Sequence, residues 1–137
     1  MSALIAPVRR VRALGALAVF ACLALGLGLQ LVDRSPVIDV LGSMLYVVLV
    51  GLLVLLIWPA LPGLAVASIA LATAMMVELL QLTGIPAAVV AVLPPARLVF
   101  GSAFDPLDLV AYVGGALLLL PLLHVITQQA RLPPRPR

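Results

Sequence analysis

Met76-Val77-Glu78-Leu79-Leu80-Gln81-Leu82 sets a carboxylate and an amide into a run that otherwise reads as a membrane-spanning helix. An unpaired charge at mid-bilayer costs roughly 2.5–3.5 kcal/mol on insertion scales, so Glu78 must find partners or be protonated. Gln81 lies three residues on, which puts both polar groups on one helix face, where they can serve a single partner. Ala67, Ala70 and Ala74 share that face at helical spacing. Small residues let membrane helices approach closely, so Glu78 is expected to point into a bundle rather than at lipid.

The rest of the chain supplies that bundle. The 137 residues are 65% hydrophobic and only 9% charged, with a mean hydropathy of +1.32. Soluble domains carry about 45–50% apolar residues, so this surface cannot be kept in water. Four stretches approach the roughly 20 residues needed to cross hydrocarbon. They are residues 13–32, 40–58, 64–83 and 106–126, with basic tails at 1–12 and 127–137. The expected fold is an all-α, integral-membrane, four-transmembrane-helix bundle forming a single domain over residues 1–137.

The breaks between spans are chemically marked. Asp33-Arg34-Ser35-Pro36 interrupts the first run, and Trp58 followed by Pro59-Ala60-Leu61-Pro62-Gly63 reads as an interfacial anchor and a tight turn. Ala87 to Leu93 is apolar but too short to cross, and Pro94-Pro95 stops it. Residues 87–104 are therefore expected to form a short interfacial or re-entrant segment between the third and fourth spans, with protein covering its backbone groups. Asp105-Pro106 has the form of an N-cap followed by proline at the first helical position, with Asp108 in the first turn. Arg131 to Arg137 reads as an extended basic tail.

Helical rise decides what meets Glu78. It lies about six residues, or roughly 9 Å, before the end of its span. The fourth span enters from that same side, so its residue at matching depth is Tyr112, one turn after Asp108. Tyr46 on the second span sits at a similar level. Arg97 is the cation nearest to the cluster, and its planar fork suits either a buried acid (Glu78 or Asp108) or a lipid phosphate. The candidate polar cluster is thus Glu78, Gln81, Arg97, Asp108, Tyr112 and Tyr46, with Asp105 a further possible partner. Gly114 and Gly115 are expected to let the third helix approach, and Gly42 and Gly26 to serve packing elsewhere. Ala18, Cys22, Gly26 and Gln30 recur every fourth residue as a small-residue stripe, with Gln30 reaching either the polar cluster or the headgroups.

Other chemistries find little support. Bulky Phe20 in Val19-Phe20-Ala21-Cys22 fits a lipoprotein cleavage box poorly, the apolar run continues beyond it, and no Ala-x-Ala site follows. Cys22 is therefore expected to be packed in a helix and the N-terminal run to span without cleavage. His124 is expected at an interface. No metal spacing, nucleophile elbow, phosphate loop or dinucleotide fingerprint occurs, so neither an enzyme, nor a metal, nor a cofactor is expected. All eight basic residues are arginines, six of them at the two ends of the chain. They flank apolar segments without interleaved aromatics, which fits membrane orientation and not nucleic acid. The positive-inside rule then puts both termini in the cytoplasm and the polar cluster toward the outer face.

Glu78-Leu79-Leu80-Gln81-Leu82, Arg97 to Phe104 and Asp108-Leu109-Val110-Ala111-Tyr112-Val113-Gly114 together resemble a family of small bacterial membrane proteins, domain of unknown function 2809. The order Glu-x-x-Gln, Arg, Asp, Gly also resembles the VanZ-like group, linked with glycopeptide-antibiotic resistance. The resemblance covers about Gly42 to Ala116. It departs at the second helix, where Gly42-Ser43 precedes Tyr46 in place of the family's usual Gly-Asp before an aromatic. It implies a four-span protein of the bacterial inner membrane and no established activity. The expected task is binding a lipid headgroup or small amphiphile in the cell envelope. The alternatives are a proton-coupled transporter using Glu78 and a structural subunit, with a homo-oligomer or a membrane-protein partner.

Overall fold

A computed structural model describes residues 2–100 and 104–131, with the side chains of residues 2–7 and 98 left aside. Among the described residues six α-helices follow one another: α1 Ser2–Gln30, α2 Pro36–Ile57, α3 Gly63–Gln81, α4 Ile85–Val92, α5 Arg97–Phe100 and α6 Pro106–Arg131. A 3-10 turn, Pro94–Ala96, joins α4 to α5. Four helices are long and apolar enough to cross a membrane: Val8–Gln30, Pro36–Ile57, Gly63–Gln81 and Pro106–Arg131. The molecule is a four-helix membrane bundle with a short helical insertion between its third and fourth spans.

Local chemistry sets the helix ends and moves several from their expected places. Pro36 starts α2 and does not belong to the break, because Ser35 caps it, its hydroxyl accepting the Ile38 N–H at 3.4 Å. Asp105 caps α6 through Oδ1, which accepts the Leu107 N–H at 2.9 Å. At the close of α3, Gly84 takes φ 75°, a left-handed conformation that turns the chain into α4. Helix α1 already begins at Ser2, inside the expected basic tail, and α6 continues through Arg131. The remainder of the expected extended tail, 132–137, lies outside the described residues.

Helices α2 and α6 form the central pair; each touches α1 and α3, while α1 and α3 do not meet. Leu52, Leu55, Val47, Val66, Leu119 and Leu123 are essentially inaccessible and fill the half of the bundle where α2 and α6 end and α3 begins. Hydrocarbon solvates leucine as well as a protein does, so close packing must hold such helices together. Gly51 provides it against Leu119, and Gly15 against Leu56, whose Cδ2 lies 3.1 Å from where a Cβ would stand. Arg12 ties the same end, its Nε donating to the Leu56 carbonyl at 3.1 Å, one of the free carbonyls closing α2.

The opposite end is built differently. Helices α4 and α5 touch α3 and the 3-10 turn but none of the other spans, so they overhang the end of α3. Pro86 is buried beneath them, while Ile85, Val92, Leu93 and Val99 are exposed. That apolar outer surface suits an element lying in the interface. Under it, the bundle opens around its polar residues.

Candidate functional site

Glu78 is the one buried polar or charged residue among those described, with 0% of its surface accessible. Its Oε2 accepts the Tyr112 hydroxyl at 2.9 Å, the contact that helical rise anticipates. Its Oε1 accepts the backbone N–H of Asp105 at 2.7 Å. Gln81, one turn on, donates its amide to the Phe100 carbonyl. Glu78 and Gln81 thus grip both ends of the connection between α5 and α6: Gln81 holds where α5 stops, and Glu78 holds where α6 is about to start. A backbone N–H at a helix start has no partner within its own helix, so a carboxylate oxygen is a fitting acceptor for it.

A second layer lies beside this clasp. The Ser43 hydroxyl on α2 donates to Asp108 Oδ1 at 2.6 Å and so joins the polar ends of α2 and α6. The Tyr46 and Tyr112 rings meet with centroids 6.2 Å apart at 48°, a tilted aromatic contact between the same helices. Together these groups floor an open cavity of ≈ 880 Å³. Its lining includes the polar residues Arg34, Asp39, Ser43, Gln81, Arg97 and Asp108 and the apolar residues Leu29, Val32, Ile38, Val99 and Phe104. The size falls within the range of ligand-binding clefts, about 300–1,000 Å³. Gln81 Oε1 is buried and accepts no hydrogen bond from any of the described residues.

The structure brings Gln81, Arg97, Asp108, Tyr112 and Tyr46 to one cavity, with Glu78 directly behind Tyr112. Several expectations need correction. Arg97 forms no ion pair with Glu78 or Asp108: the first is satisfied by Tyr112 and a backbone N–H, the second takes a hydroxyl from Ser43, and Arg97 stands exposed on the cavity wall. Gly114 and Gly115 receive α2 instead of the third helix, since a Cβ on Gly115 would meet Met44 O at 2.6 Å and Met44 Cα at 3.0 Å. Gly42 and Gly26 have nothing within 4 Å of a built Cβ and border the cavity. Among the described residues they leave space open and pack against nothing. The stripe on α1 divides in the same way. Cys22 is buried, its thiol donating to the Leu45 carbonyl at 3.4 Å, whereas Gly26 and Gln30 line the cavity.

Asp39, Ser43 and Arg34 are members of the site that the sequence reading passes over. Asp39, Ser43 and Tyr46 fall at i, i+4 and i+7 on α2, so one polar helix face was the signal for the first two.

The model of one family, described as a protein of unknown function (DUF2809), matches residues 32–116. The chain belongs to the DUF2809 family. The matched region runs from the end of α1 to the middle of α6 and contains every residue of the Glu78 clasp, both cavity arginines and all three cavity aspartates. No curated protein and no solved structure matches the chain. Among the described residues no group of His, Cys, Asp and Glu is arranged to hold a metal ion.

Proposed function

We propose that this DUF2809 protein is a non-enzymatic, VanZ-like protein of the bacterial inner membrane whose polar cavity binds a lipid headgroup or small amphiphile at the outer leaflet. The single observation that carries this reading is a cavity of ≈ 880 Å³ lined by both charged and apolar side chains, at one end of an otherwise oily bundle. A group with a polar head and an apolar body matches such a mixed lining. Arg97, exposed and without an acid partner among the described residues, is the residue proposed to take a headgroup phosphate. Alanine at Arg97 leaves the clasp untouched. Lipid that co-purifies with the native protein is expected to be depleted several-fold in folded Arg97→Ala protein, as read by mass spectrometry of the extract. An unchanged lipid profile would count against the reading.

Arginine placement supports an orientation for the bundle. Arg9, Arg10, Arg12 and Arg131 lie at the end opposite the cavity, which supports cytoplasmic termini. Tags at either terminus are then expected to be shielded from membrane-impermeant label in intact cells, and labelling of either one from outside would reverse the orientation.

A second reading, proton-coupled transport through Glu78, draws on the burial of an acid within a span. Leu52, Leu55, Leu119 and Leu123 weigh against it, because they close the other half of the bundle with no polar step among them. Flux driven by a pH gradient in reconstituted vesicles would favour transport over static binding. A subunit role in a larger assembly would instead return a stoichiometric membrane partner in native purification.

A further inference from the structure

The cavity places opposite charges side by side without letting them neutralise one another. Arg34, from the turn between α1 and α2, and Arg97, at the start of α5, share it with Asp39, Asp105 and Asp108. No salt bridge joins either arginine to any of these carboxylates, and the side chains of Arg34, Arg97 and Asp39 make no hydrogen bond among the described residues. Asp105 is occupied in capping α6 and Asp108 holds Ser43. A lining that holds both signs without pairing them leaves each free to meet an opposite charge, so it suits a ligand that brings both signs itself. A plain anion would satisfy the arginines and be repelled by the carboxylates, which are at least as numerous. A plain cation would meet the reverse.

We infer, resting on the binding reading above, that the cavity selects a zwitterionic amphiphile carrying a phosphodiester and a primary ammonium. Arg34 and Arg97 take the phosphate, the two guanidinium groups offering forked donors that match its oxygens. Asp39 takes the ammonium, with Asp108 beside it one helix away. Leu29, Val32, Ile38, Val99 and Phe104, apolar members of the same lining, receive the first part of the acyl chains. This is the chemistry of a phosphatidylethanolamine headgroup.

The test uses the detergent-solubilised full chain and native mass spectrometry, with phosphatidylethanolamine and phosphatidylglycerol of identical chains as competing probes. The two share the phosphodiester and differ in the amine. Phosphatidylethanolamine is expected to bind about tenfold tighter, the size of one charge-assisted hydrogen bond to the amine. Asp39→Asn, at an exposed position with no contact to lose, is expected to erase that preference, and Arg97→Ala to weaken both lipids. Equal binding of the two lipids by the native chain overturns the zwitterion assignment while leaving a phosphate-binding cavity, provided Arg97→Ala still weakens both. Binding of both lipids unchanged by Arg97→Ala removes the cavity reading itself. Chain-free glycerophosphoethanolamine should compete. If it and glycerophosphoglycerol are equally inert, recognition belongs to the chains and the inference fails.

Discussion

Glu78→Ala is expected to destabilise the bundle by about 2 kcal/mol, measured as SDS-driven unfolding of the detergent-solubilised protein. Two donors depend on this carboxyl group, the Asp105 N–H at 2.7 Å and the Tyr112 hydroxyl at 2.9 Å. Leaving a buried donor unpaired costs about 1–3 kcal/mol. Alanine also removes an acid that is itself unwelcome among spans, and this offsets part of the loss. Glu78→Gln should fall between alanine and native, because an amide has one acceptor oxygen for two donors and turns its own N–H toward the second. The decisive measurement is a double-mutant cycle with Tyr112→Phe. Hydrogen bonds between membrane helices average about 0.6 kcal/mol and reach about 1.7, so a coupling in that range is expected. Additive losses, within the usual 0.3–0.5 kcal/mol or so for independent sites, would mean that the bond contributes nothing. Because the clasp also sets where α6 starts, the same alanine variant should lose cavity selectivity in whatever fraction remains folded.

The sequence makes some of this clasp legible and hides the rest. Glu78 and Tyr112 can be matched because rise per residue converts sequence position into depth, and two antiparallel spans of known entry side leave little choice. The Asp105 N–H could not be found in that way. Every residue but proline has such a donor, and only the capping geometry at Asp105-Pro106 shows that this one is left over. For Arg97 the sequence leaves an acid and a phosphate equally open, and in the structure both candidate acids are already satisfied. Charge pairing is an inviting guess when side chains alone are counted, yet here a main-chain group and a phenol do the work and the guanidinium stays free for the cavity. The spans themselves were legible as apolar runs. Their ends were less so, since Pro36 can close one segment or open the next, and only the Ser35 hydroxyl decides it. The glycines were least legible. A glycine on an apolar helix reads the same whether it faces a backbone, as Gly115 does, or open space, as Gly42 does.

That difference between glycines yields the second large effect. Gly115→Ala is expected to cost about 1–3 kcal/mol, the usual range for overpacking a well-filled contact. The atoms in the way are the carbonyl oxygen and Cα of Met44, at 2.6 and 3.0 Å from the new Cβ, so no side-chain rotation can relieve the clash. Helices α2 and α6 would have to separate, and both Ser43–Asp108 and Tyr46–Tyr112 bridge that same pair. Gly51→Ala meets the Leu119 side chain, which can shift only within a core where Leu119 is fully buried, so a smaller loss is expected there. Gly42→Ala should stay within about 0.5 kcal/mol of native, as for substitutions away from packed features, because its Cβ enters open space. Gly42→Leu extends the comparison from packing to function: it should unfold like the native protein yet fill part of the cavity and displace bound lipid. Native-like unfolding of Gly115→Ala would refute the close α2–α6 approach. If Gly42→Leu folds normally and still retains its lipid, the ligand does not occupy the space beside Gly42.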